Sequence, residues 1–150
     1  MAANVWDFYN EFTEYSMDAT MDMDADSFKL ALFLSTSNAL TLSTSGKAAL
    51  TNEHANANGY VTGGQVLDSV TWVRSAGTTT FDSADEVFTA SGGSLVFRFG
   101  VIYDDTVITP VADPLVCVTT FDNTPADITV TATNTFTCQM NASGIFTLAT

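Results

Sequence analysis

Residues 88–106, FTASGGSLVFRFGVIYDDT, decide the fold class. From Ser94 the side chains alternate, with Leu95, Phe97, Phe99 and Val101 on one face and Ser94, Val96, Arg98, Gly100 and Ile102 on the other. That is the period of two expected of a strand with one face buried. Ser91-Gly92-Gly93 supplies a tight return from a preceding strand near 87–90, and Asp104-Asp105 closes the unit with residues that favour turns. The stretch reads as a core β-hairpin.

Outward from it, the same strand-and-turn pattern recurs. Residues 28–35, FKLALFLS, set Phe28, Leu30, Leu32 and Leu34 against Lys29, Ala31 and Phe33. Residues 65–74, QVLDSVTWVR, read as one strand carrying Val66, Val70 and Trp72, with a bulge where Leu67-Asp68 falls out of phase. A short Thr-rich strand follows at 78–82. Pro110 and Pro114 bar central pairing of 107–114. Residues 115–121, LVCVTTF, set Leu115, Cys117 and Thr119 against Val116, Val118 and Thr120, and two more strands complete the chain, one running on over 128–140 and one over 145–148. About eight short strands with frequent turns predict a mainly β fold, an antiparallel sandwich or jelly-roll-like barrel with one short N-terminal helix.

The helix is expected over residues 4–16, where Val5, Phe8, Phe12 and Tyr15 recur at spacings of three and four beside Trp6, Tyr9 and Thr13. Residues 1–17 then form an amphipathic arm and 18–150 a single β domain. An arm so rich in aromatics must dock, either on its own β core or on a neighbouring subunit. Val5, Trp6, Phe8, Tyr9, Phe12 and Tyr15 are therefore candidate partner contacts.

Asp22-x-Asp24-x-Asp26 has the opening spacing of a calcium-binding loop, but Ser27 stands where glycine would turn the chain and Phe33 where the closing glutamate would lie. It reads as a solvated acidic turn, with Asp22, Asp24 and Asp26 kept as a weak Ca²⁺ alternative. Residues 36–59 lack periodicity and read as a long loop with at most one helical turn at 47–50. A loop of that length is a candidate contact arm, with His54 and nearby Tyr60 as its contact candidates. His54 is the only histidine and has no second ligand nearby, so a surface or capping role is expected of it. The glycines of 59–64 lack phosphate-loop spacing and no lysine follows them.

Composition narrows the function. Only 14% of the 150 residues are charged, against roughly 25% in an average domain, so Thr, Ser, Asn and Asp must carry solubility. Seventeen acidic residues against four basic ones give a net charge of −13, which repels phosphate backbones and anionic lipid. Neither nucleic acid nor membrane is expected as a partner. No stretch is apolar for the 18 or more residues of a membrane helix, and the acidic N-terminus does not resemble a secretory leader. A soluble protein made in the cytoplasm is expected, with Cys117 and Cys138 as buried free thiols. No nucleophile elbow accompanies the single imidazole, and neighbouring carboxylates at 85–86 and 104–105 point to opposite faces of a strand. No enzyme activity and no cofactor are expected. A surface of short side chains is immobilised against a partner at low entropic cost, which suits a structural protein.

Taken in order, VWDFYNEFTEY, DSFKLALFLS, LTNEHANANGYVTGGQVLDSVTW, FTASGGSLVFRFGVIYDDT, DPLVCVTTFD and MNASGIFTL resemble a family of small virion proteins of tailed bacteriophages. The resemblance implies a structural component of the particle, in the first place a capsid decoration or cement protein on the head surface. Its partner would be the major capsid protein, and it would form a homo-oligomer, for which a trimer at three-fold positions is the natural form. A tail component, such as a tube, terminator or fibre-attachment subunit, is the alternative, and a host-surface binding module a third. The resemblance brings no catalytic or ligand residues with it.

Overall fold

The computed structural model describes residues 5–149. Its strands are β1 (Asp7–Phe8), β2 (Phe28–Phe33), β3 (Gln65–Val66), β4 (Thr71–Ser75), β5 (Thr78–Asp82), β6 (Glu86–Thr89), β7 (Leu95–Phe97), β8 (Phe99–Asp104), β9 (Leu115–Thr120), β10 (Ile128–Val130), β11 (Thr135–Cys138) and β12 (Phe146–Ala149). Among the described residues there is one α-helix, α1 (Phe12–Met17). All pairings are antiparallel. A five-stranded sheet runs β1-β9-β8-β2-β3, a three-stranded sheet runs β12-β5-β4, and two ribbons pair β10 with β7 and β11 with β6. The fold is mainly β and sandwich-like, and no sheet closes into a barrel.

The five-stranded sheet is buried on both faces. Phe28, Leu30 and Leu32 of β2 point into the larger core with Ile102, Val116 and Cys117, where they meet Phe81, Phe88, Leu95, Phe97, Phe136 and Phe146 from the smaller sheets. Ala31 and Phe33 point the other way, with Phe99, Val101, Tyr103, Leu115 and Val118, under Ala39, Leu42 and Leu50 of the long connection. This explains the near-continuous apolar composition of β2, β8 and β9, since a strand covered on both sides has no wet face to alternate with. Each fully buried Phe or Leu contributes roughly 1.5–3 kcal/mol. Edge-to-face pairs such as Phe28 with Phe81, at 5.2 Å, contribute about 0.5–1.5 kcal/mol more.

The defining stretch is built differently from its expected hairpin. Its alternation continues through Arg98, but the strand does not. β7 pairs with β10 and β8 lies between β2 and β9, while β6 pairs with β11 rather than with β7. At the break, the Arg98 N–H donates to the Phe33 carbonyl (2.7 Å) and the Arg98 carbonyl accepts from the Phe121 N–H (3.0 Å). The chain rotates there, so that Leu95 and Phe97 enter the larger core while Phe99 and Val101 enter the smaller one. Four residues expected on one face thus serve two cores.

Three further expectations are corrected. A register shift between Ile102 and Tyr103 along the β8–β9 pair places both Val116 and Cys117 in the larger core, where strict alternation would have opposed them. Residues 65–74 form two strands rather than one bulged strand, because Ser69 turns the chain with a φ of 54°, and the out-of-phase Leu67 is the buried member while Val66 is exposed. The N-terminal helix is shorter than expected and begins at Phe12. Residues 7–8 instead pair with Cys117 and Val118 at the sheet edge, so the arm is continuous with the β domain. Asn4, the expected first helical residue, and Met1, Ala2 and Ala3 of the arm lie outside the described residues.

Candidate functional site

The residues with the richest chemistry converge where the 36–59 connection crosses β2. Lys47 sits in a single 3-10 turn, Lys47–Ala49, and its Nζ lies 2.9 Å from Glu53 Oε2 and 5.5 Å from the centre of the Tyr103 ring. Glu53 Oε1 accepts the Tyr60 hydroxyl (2.7 Å) and the Gly63 N–H (2.6 Å). The Tyr60 oxygen in turn accepts the Leu32 N–H at 3.0 Å, and the Tyr103 hydroxyl donates to the Gly63 carbonyl at 2.7 Å. His54 is buried beside this cluster, its ring 5.2 Å from that of Tyr60, with Nδ1–H donating to the Ala55 carbonyl at 2.7 Å. Burial raises the Tyr60 phenol far above its ordinary value, with the Glu53 charge adding to the effect, and burial likewise raises Tyr103. Both phenols are fixed as neutral hydrogen-bond donors.

The hydrogen bonds and ion pair named here all run to this chain's own backbone or to a neighbour in the cluster. Chemically the cluster is a clamp. It holds the long connection and the 60–64 turn against β2 and keeps the second face of the sheet covered. His54 and Tyr60, expected as surface contacts, are interior parts of that clamp.

The N-terminal candidates form a second group. Trp6, Tyr9, Phe12 and Tyr15 are buried and Phe8 is half-buried, while Val5 is 82% exposed. Phe8 stacks on Phe12 at 5.1 Å and meets Phe146 edge-on at 4.8 Å. The Tyr9 hydroxyl donates to the Ala39 carbonyl at 2.6 Å. Most of the aromatic stripe is therefore seated in its own domain, which places the arm on the core it was expected either to join or to leave. What it offers outward is an open groove of about 500 Å³ lined by Val5, Trp6, Phe8, Gly144, Ile145 and Phe146. A smaller groove of about 320 Å³ lies beside Met17, Met21, Met23 and Trp72, and Met17 is 85% exposed.

In the acidic turn, Asp22 Oδ1 accepts the Asp24 N–H (3.1 Å) and Asp26 Oδ2 accepts the Asp22 N–H (2.7 Å). These carboxylates act on the turn itself, and among the described residues no group of three or more His, Cys, Asp or Glu is gathered to hold a metal. Asp104 is fully buried: its Oδ1 accepts the N–H groups of Thr106 (2.8 Å) and Val107 (3.2 Å), and its Oδ2 faces no donor. Burial, with a smaller contribution from the Asp26 carboxyl within hydrogen-bonding reach, raises its pKa to about 6 against the lowering by those N–H groups. Glu86 is also buried and raised by desolvation, while accepting the Asp68 N–H at 2.9 Å. Cys117 and Cys138 are buried and unpaired.

The sequence singles out His54 and Tyr60, but not Lys47, Glu53, Gly63 and Tyr103, whose meeting depends on the fold. The doubled aspartate at 104–105 was the sole signal for the buried carboxyl, and it pointed to a turn.

Comparison of the chain with protein-family models, curated proteins and solved structures finds no match.

Proposed function

We propose that this chain is a non-enzymatic virion structural protein of a tailed bacteriophage, a head decoration protein that binds the assembled capsid lattice and stabilises it. The observation that carries the reading is the double burial of the central sheet, with the most reactive side chains consumed in an internal clamp. Such a body is rigid, and its exterior is dominated by short polar and acidic side chains. A rigid surface with few long side chains loses little entropy when it is fixed to a lattice. Binding the assembled lattice but not free subunits stabilises the shell by RT ln(1 + [L]/Kd) per site. The net charge of −13 keeps the protein off packaged nucleic acid and directs it to a capsid surface that offers cations. The Val5–Trp6–Phe146 groove is the apolar contact assigned to the capsid protein.

A second reading, a tail component, is favoured by one feature: among the described residues neither outer strand of the β12-β5-β4 sheet has a further strand beside it, and such edges can extend a sheet as subunits of a ring or tube require. Electron microscopy of particles assembled without the protein separates the two. Heads that lose surface density and burst at lower temperature, with tails intact, support decoration. Tailless or fibreless particles with normal heads overturn it.

A further inference from the structure

We infer that the outer edge of β4 is a self-association site, pairing antiparallel with β4 of a second copy about a two-fold axis through Val73.

β4 pairs with β5 through all five of its residues and, among the described residues, has no strand on its other side. A free edge is normally protected by shortness, proline, a bulge or clustered charge. The edges at β1 and β3 are two residues long. β4 has five residues, TWVRS, in unbroken register, without proline, and Val73 in its middle is 58% exposed.

Charge identifies the occupant. In a chain of net charge −13, the three strands β4, β5 and β12 carry only Arg74 and Asp82. Two copies therefore repel least where these strips meet. Of the four basic residues, Lys29 pairs with Asp105 at 2.8 Å, Lys47 with Glu53, and Arg98 lies 5.0 Å from the Phe99 ring centre. Arg74 is exposed and has no ion pair or aromatic partner among the described residues.

The register follows from symmetry. An axis through Val73 sets Val73 against its own copy, Thr71 against Ser75, and Trp72 against Arg74. Trp72 and Arg74 share one face of the strand, so each guanidinium lies across from the second copy's indole, a cation–π pair formed twice. An axis through Arg74 would oppose two guanidiniums, and an axis through Trp72 would leave Arg74 facing Val70. The pairing is isologous and closes at two. It does not propagate into a tube, and it occupies the β4 edge that a tail subunit would use to extend the sheet. A contact of five residues a side lies below the size of a permanent interface, so dissociation in the micromolar range is expected.

The test is sedimentation equilibrium of the full chain from low micromolar to high micromolar concentration, with disulfide trapping. The wild type is expected to approach twice the monomer mass, and Arg74→Glu to remain monomeric with an unchanged circular dichroism spectrum and melting temperature. Val73→Cys is expected to form a disulfide-linked dimer on mild oxidation, and Ser75→Cys, distant from its own copy in this register, is not. A wild type that stays monomeric throughout overturns the inference and leaves the edge to a strand of another protein. A dimer indifferent to Arg74→Glu, or one trapped by Ser75→Cys but not by Val73→Cys, also overturns it.

Discussion

The buried carboxyl of Asp104 lies within hydrogen-bonding reach of the Asp26 carboxyl, and its Oδ2 has no donor among the described residues. The pair joins the end of β8 to the acidic turn, which is also tied there by the Ser27 N–H to Thr106 Oγ1 (2.8 Å) and the Asp105 N–H to the Ser27 carbonyl (2.8 Å). Asp104 is raised from 3.8 to about 6, so the folded state holds this proton more tightly than the unfolded chain does. The resulting stability is fully present below the unfolded value and is lost as pH rises through about 6, up to about 3 kcal/mol in all. Thermal melts should show the wild type gaining stability between pH 7.5 and 5. Asp104→Asn, which copies the protonated form, should flatten that rise, and an equal rise in both proteins would refute the assignment.

Tyr60 closes the clamp by donating to Glu53 while accepting the buried Leu32 N–H. Tyr60→Phe strands the Leu32 N–H and leaves Glu53 Oε1 with the Gly63 N–H alone, and a buried unsatisfied group costs about 1–3 kcal/mol. Urea denaturation should move to a lower midpoint with an unchanged slope. Tyr103→Phe, which leaves only the Gly63 carbonyl without its donor, should cost less, and a larger loss for Tyr103→Phe would reverse the ranking.

Gly64 has a φ of 80°, and a Cβ there would overlap the Leu30 backbone, whereas Gly92, with a φ of 78°, has open space around it. Both positions carry the left-handed strain of about 1–2 kcal/mol for a side chain, so their difference isolates the overlap. Gly64→Ala should lower the melting temperature by clearly more than Gly92→Ala, or prevent soluble expression. Equal losses would mean that the 60–64 turn does not press on β2.

Burial raises the Cys117 thiol well above its ordinary range and pushes Cys138 up to about 12. The thiolate is the reactive form. A thiol reagent should therefore label neither residue in the native protein and both in denaturant without prior reduction. Labelling of the native chain would show that one of the strands opens.

How far these features were legible in the sequence depended on how local their causes are. β2 follows from its apolar run and β5 from its threonines between turn residues; β5 spans the expected 78–82, and β2 starts at the expected Phe28 but ends at Phe33. The 5–16 segment fits two periods at once. Trp6 and Phe8 alternate as a strand, Phe12 and Tyr15 recur as a helix, and pairing with β9 settles the boundary between them. Leu42 and Leu50 carry no period at all, yet they roof the smaller core. The clamp draws on Lys47, Glu53, Tyr60, Gly63 and Tyr103, which become neighbours only after β8 is laid beside β2. The rotation at Arg98 left no trace in the alternation, because a residue that leaves one ladder for another need not change its polarity.

That rotation makes a single peptide junction common property of both layers. Tension or heat that strips β7 from its ribbon is passed directly to the strand at the centre of the large sheet, so the two cores have no independent way to melt. Calorimetry of this protein should record one sharp event rather than a gradual softening.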